Sequence, residues 1–354
     1  MWLVRTTQGN GRPGFGIKRA IVAAAMACAS MLTPAFAETC TTQSAMTAAD
    51  RDALVRAGEQ FAALTAANNA EGVRAQTMPQ FAQDFGGIAE AIRTAAPKLQ
   101  GASFVPDTVW ILDASTSKPG ADGSAQDAQF FCNLNRGSLQ TSFLIPALPA
   151  GRYALVVLNT AGTADPYQIA MLLRQSATGT WQLGGLFPRA TTAGGHDGLW
   201  FWKAARDFAA KKQSWNAFVY YNEAEQLLKP VSFLSSSHLE SLQAERSKAA
   251  PPALSTGIST SQPLVIAPKA GAEVRVTSLE ALNAPAQAGI DLLAHVRTED
   301  ALTDPVASRA RNTAAAKAIV AAYPELRTAF HGVWIVADLP NGTTFVSEEP
   351  MGAL

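Results

Sequence analysis

The residues best suited to chemistry are a histidine and an aspartate in a glycine-rich stretch. His196 and Asp197 are adjacent, with Gly194, Gly195 and Gly198 around them. Glycines let the backbone approach a ligand closely, and a histidine titrates near neutral pH. The pair is therefore a candidate ligand site. The same glycines also suit a flexible join between two structural units, and that alternative stays open.

Sequence motifs for metal, nucleophile and phosphate chemistry are missing. The four histidines lie far apart in the sequence, and none belongs to an H-x-x-x-H or H-E-x-x-H motif or lies near a C-x-x-C motif, as zinc ligands typically do. Neither G-x-S-x-G nor a P-loop occurs. Glu223 and Glu225 lie two positions apart on a predicted helix, so they do not share a face. We predict no catalytic residue, no metal and no cofactor.

The first 37 residues have the pattern of a secretory signal peptide. Four basic residues precede an apolar run at 20–32, and Ala35-Phe36-Ala37 is an A-x-A cleavage site. The run is too short for a stable membrane span, so we predict none in the mature chain. A lipoprotein at Cys28 is the alternative, but residues 25–27 lack the expected leucine. The protein is expected in the periplasm or outside the cell.

Loss of this leader changes the charge and the cysteine count. It removes four of 28 basic and none of 28 acidic residues, which leaves a formal charge of −4. A mildly acidic chain predicts no nucleic-acid partner. Cys40 and Cys132 remain, and in an oxidising compartment two cysteines suggest one disulfide. A buried thiol with a separate exposed one is the alternative.

The N-terminal half of the mature chain predicts an α+β layer, with helices packed on a curved antiparallel sheet. Residues 46–99 have helical periodicity, and Thr47 begins the first helix. Six strands follow, separated by turn residues too few for parallel crossovers. These strands are 108–114, 128–134, 140–146, 152–159, 166–174 and 180–187. This order, and a closing strand pair at 165–188, resemble the nuclear-transport-factor-like (cystatin-like cone) superfamily. The resemblance implies a cone interior, which apolar residues dominate here.

Residues 198–230 resemble a single tetratricopeptide unit. Phe201, Ala204, Ala205 and Phe208 match the first helix of that repeat. Ala217, Tyr221 and Ala224 match the second helix, and Pro230 falls one residue late. The resemblance implies that Trp202 and Arg206 face a concave groove that binds a partner peptide. Two alternatives stay open: a generic helix pair, and burial of both side chains against the sheet domain.

The remaining chain predicts a capping helix at 237–248, a Pro/Ser/Thr-rich linker and a small C-terminal domain of β-β-β-α-β-β order. Asp304-Pro305 begins its helix, and Pro340-Asn341-Gly342 forms its last turn. The predicted units are 1–37 (signal peptide), 38–192 (cone-like domain), 193–248 (hairpin and cap), 249–262 (linker) and 263–354.

Two functions follow from these patterns. The first is an exported, non-enzymatic interaction or scaffold protein of the cell envelope, which binds another protein through the hairpin or the C-terminal domain. The second is a protein that binds, or acts on, a small apolar ligand inside the cone. A pocket with at least two convergent polar groups would favour the second function.

Overall fold

A computed structural model describes residues 38–133, 140–163, 165–254, 257–268, 271–283 and 289–354. The predicted signal peptide at 1–37 lies outside them. The described chain is α+β, as predicted: a short strand precedes a group of helices, and antiparallel strands, a helical hairpin and a final mixed sheet follow.

Four helices follow the short first strand: α1 (Ala48–Ala66), α2 (Ala70–Arg74), α3 (Pro79–Gln83) and α4 (Gly86–Leu99). The Thr47 side chain accepts a hydrogen bond from the Asp50 backbone N–H at 3.1 Å, so the predicted cap is confirmed. Gly58 permits close contact between α1 and the sheet, because a Cβ there would lie 2.7 Å from Val156 Cγ1. The helices cover one face of the first sheet.

The first sheet has five antiparallel strands in the order β1-β2-β5-β6-β7. The strands up to this point are β1 (Thr39–Thr42), β2 (Ser103–Asp113), β3 (Ala128–Asn133), β4 (Gln140–Ile145), β5 (Arg152–Ala161), β6 (Tyr167–Gln175) and β7 (Trp181–Ala190). Residues 153–158 of β5 and 168–173 of β6 are buried on both faces. The sheet therefore forms the middle layer of this half.

Two of the six predicted strands leave this sheet, which corrects the single curved sheet expected from sequence. β3 pairs with β4, and β4 pairs with β10 (Leu234–Ser236), in a second, three-stranded sheet. Both strands alternate between buried and exposed residues, so only one of their faces is suited to a core. That face covers the side of the first sheet opposite the helices.

The helical hairpin forms where the sequence predicted it. A two-residue ladder of β8 (Thr192–Ala193) and β9 (His196–Asp197) leads into α5 (Gly198–Ala210), α6 (Ser214–Leu228) and α7 (Ser237–Ala249). The Trp215 ring lies 4.0 Å from the Tyr323 ring, and the Asn216 amide donates to the Glu325 carbonyl at 2.7 Å. The hairpin thus shares its core with the C-terminal sheet.

The C-terminal part has the predicted element order. It comprises β11 (Leu264–Ile266), β12 (Val274–Asn283), β13 (Ile290–Arg297), α8 (Pro305–Ala322), β14 (Gly332–Asp338) and β15 (Thr344–Pro350), with the strands in chain order in one sheet. Only the β13–β14 pair, joined through α8, is parallel. Asp304 caps α8 as predicted, because its carboxylate accepts the Val306 and Ala307 N–H groups.

Candidate functional site

The two cysteines that the structure describes, Cys40 and Cys132, form a disulfide. Cys40 and Cys132 have Cα atoms 5.3 Å apart and join β1, at one edge of the first sheet, to β3, at one edge of the second. This bond is compatible with an oxidising, extracytoplasmic compartment. No described helix is long and apolar enough to cross a membrane.

His196 and Asp197 both contribute to the start of the hairpin. The Asp197 carboxylate accepts a hydrogen bond from the Trp200 N–H at 2.8 Å and so caps α5. The His196 ring is stacked on the Trp200 ring, with centroids 3.7 Å apart. These contacts give both residues a structural role, as in the alternative interpretation of the glycine-rich stretch.

Trp202 and Arg206 converge on one carboxylate of α7. Glu245 accepts hydrogen bonds from Trp202 Nε1 at 2.9 Å, from Arg206 at 2.7 Å to each oxygen, and from the Tyr221 hydroxyl at 3.3 Å. The guanidinium also lies 4.5 Å from the Trp202 ring centroid. The Arg206 hydrogen bond lowers the pKa of Glu245 below 4.5. This cluster, which we call the Glu245 clasp, fastens the hairpin to its capping helix.

Replacement of Glu245 by alanine is expected to lower the free energy of unfolding by about 2 kcal/mol, because Trp202 and Tyr221 would keep buried donors without an acceptor. The loss should stay constant down to about pH 4.5 and shrink as the pH falls further, through the lowered pKa of Glu245, because the ionised carboxylate makes these hydrogen bonds. Urea unfolding at pH 7 and pH 4 would measure it. Glu240→Gln, at an exposed carboxylate on the same helix, is the control; equal values for both variants would contradict the clasp.

A cleft of about 380 Å³ lies between the first sheet and the hairpin. We call it the junction cleft. Its floor is made of buried residues from both sides: Trp110, Thr141, Gln168, Trp202, Leu234 and Leu239. Asp107, Leu199 and His238 are exposed at its rim. Volume, aromatic walls and a few polar groups match the general features of ligand sites.

A β-bulge places Asp107 at the rim. The pairing of β2 with β5 shifts register between Pro106 and Thr108, so Asp107 is the extra residue. Phe104, before the bulge, packs towards the helices, and so does Val109 after it. A regular strand would send residues of unlike parity to opposite faces. The bulge thus lets Trp110 contribute to the floor while Asp107 turns to the rim.

The polar part of the floor is held by a half-buried guanidinium. Arg189 donates to the Gln168 side chain at 2.8 Å and to the Gln226 carbonyl at 2.8 Å, and Gln168 donates to Asn159 at 2.9 Å. Burial lowers the pKa of Arg189 to about 10, and the Asp107 carboxylate opposes that shift. These bonds fix the Gln168 amide in the floor.

Asp107 and His238 have no side-chain hydrogen bond or ion pair with any residue that the structure describes. The Asp107 carboxylate interacts electrostatically with the Arg189 guanidinium, but no hydrogen bond from the described residues occupies its oxygens or the ring nitrogens of His238. Sequence reasoning missed both, because they lie more than 120 positions apart and neither belongs to a motif. Pro106-Asp107 directly before a predicted strand was the one local signal of an irregular strand start.

Within the described ranges, no group of three or more histidine, cysteine, aspartate or glutamate side chains could hold a metal ion. No family model matches the chain, and neither a curated protein nor a solved structure matches it.

Proposed function

We propose that this chain is an exported, non-enzymatic protein of the periplasm or cell exterior that binds a segment of another protein in the junction cleft. The single observation that carries the proposal is the cleft itself, with an aromatic and aliphatic floor and two rim side chains that make no internal hydrogen bond within the described chain. It adjoins the hairpin, the element whose resemblance to a tetratricopeptide unit implies peptide binding.

The apolar surface continues outside the cleft. Leu199, in the first turn of α5, is 61% exposed, and Trp200 beside it is 38% exposed. Burial of such side chains against a partner is the main favourable term in protein association. A partner segment that inserts one apolar side chain would cover Leu199 as well. The hydrogen bond to Glu245 holds Trp202 in the floor of the cleft. Arg206 is paired with the same carboxylate, so we assign it no direct partner contact.

A small amphipathic ligand is the second candidate function, and the cleft volume of about 380 Å³ favours it. We place this ligand in the junction cleft rather than in the interior of the cone-like layer. Large apolar side chains fill the space between the helices and the first sheet, among them Leu54, Phe61, Ile92 and Leu158.

Photo-cross-linking in the producing cells tests the proposal. A benzophenone amino acid at position 199 is expected to form a discrete protein adduct. The matched control is position 306, because Val306 is also an exposed apolar helix residue, 80% exposed, on α8. Equal adducts at both positions, or none at 199, would contradict the proposal. A small molecule retained in native mass spectra, without a protein adduct, would favour the second candidate.

A further inference from the structure

The rim of the junction cleft has a charge preference that points to the chemistry of its partner. Among the residues that the structure describes, Asp107 is the one rim residue with a full negative charge, and only Asp107 and His238 of the cleft lining are ionisable. Lysine and arginine are missing from this described lining. The guanidinium of Arg189 lies behind Gln168 and is held there by two acceptors.

We propose that the partner segment carries an apolar side chain directly next to a lysine or arginine. The apolar side chain enters the floor between Trp110 and Trp202, and the basic residue pairs with Asp107 at the rim. This inference rests on the proposed function and adds the partner's chemistry to it.

Depth and charge together support this pairing. The floor is buried and largely apolar, so a cation inserted there would lose its hydration without a carboxylate to replace it. The carboxylate is instead at the exposed mouth, where the stem of a basic side chain packs on apolar surface and its head stays in water. The formal charge of −4 on the mature chain also attracts a basic segment at long range.

An exposed ion pair contributes little to affinity, so its effect is expected in specificity and salt dependence. Asp107→Asn should weaken binding of a matching peptide about two- to fivefold at low salt and reduce the salt dependence of the affinity. Asp107→Lys should reverse this charge preference, so that the protein binds segments with an acidic residue rather than a basic one.

A display library of random twelve-residue peptides, panned on the purified protein, tests this inference. Peptides that bind the wild type but not the cleft-narrowing variant His238→Trp are expected to contain Leu, Ile, Phe or Met beside Lys or Arg. Panning on Asp107→Lys should enrich Asp or Glu instead, and Glu240→Gln should select the wild-type set. Cleft-dependent peptides without enriched Lys or Arg would overturn the inference and leave the proposed function standing. If His238→Trp selects the same peptides as the wild type, the proposed function fails as well.

Discussion

Replacement of both Cys40 and Cys132 by alanine is expected to lower the free energy of unfolding by about 4–5 kcal/mol. The bond closes a loop across 92 positions, and chain entropy predicts a contribution of this size for so long a loop. The local structure adds to the effect. β1 has only four residues, and it pairs on one side with β2 alone.

Urea unfolding of the oxidised wild type, the reduced wild type and the double variant would measure the contribution. Reduction of the wild type should reproduce most of the loss of stability, because it breaks the bond and leaves both cysteine side chains in place. A smaller loss on reduction than in the variant would measure the packing of Cys132, which is buried in the core between the two sheets. A loss below about 1 kcal/mol in both samples would show that the loop is already constrained without the bond.

Replacement of Glu223 by glutamine is expected to stabilise the protein at pH 8 by up to about 3 kcal/mol. Glu223 lies on α6, is 7% exposed, and has no hydrogen-bond partner among the described residues. Burial, and then the nearby Glu280 carboxylate, raises its pKa to about 7. Carrying the pKa from 4.5 to about 7 corresponds to about 3 kcal/mol, at about 1.4 kcal/mol per pH unit.

The sign follows from the favoured protonation state. The fold prefers neutral Glu223, so the stability linked to this group is fully present below pH 4.5 and is lost as the pH rises through 7. Glutamine keeps the neutral shape at every pH, so Glu223→Gln should remove this part of the pH dependence. Thermal unfolding from pH 4 to pH 8 would measure both effects.

Glu225→Gln is the matched control for Glu223→Gln. Glu225 lies two positions along the same helix and forms an ion pair with Arg246 on α7. Its replacement is expected to destabilise the protein at pH 8, opposite in sign to Glu223→Gln. If Glu223→Gln destabilised the protein at pH 8 by a similar amount, the carboxylate would have a partner that the structure does not contain.

Local signals in the sequence were sufficient for most elements of the fold. The caps Thr47 and Asp304 act through neighbouring N–H groups, so they can be recognised from a few residues. β3, at Ala128–Asn133, begins at the predicted residue. β1 and β10 were not predicted, because strands of four and three residues are too short to show an alternating pattern. They form only through pairing with β2 and β4.

The site was not predictable, because long-range packing creates it. The bulge at Asp107 depends on the pairing of β2 with β5, and the local sequence does not specify the register of that pairing. The tetratricopeptide resemblance implied Trp202 and Arg206 as contacts for a partner peptide. Their acceptor, Glu245, lies about 40 positions further on, and the sequence does not tell which charged residues of the two helices meet. The Glu245 clasp therefore appears only once the helices are packed.

The most direct test of the binding proposal is the affinity of the partner recovered by cross-linking at position 199. Isothermal titration calorimetry would compare the wild type, His238→Trp at the rim, and Glu240→Gln two positions away. We predict at least a tenfold weaker Kd for His238→Trp, because an indole at the mouth would obstruct the floor, and an unchanged Kd for Glu240→Gln. The same Kd for all three proteins would contradict binding in the junction cleft.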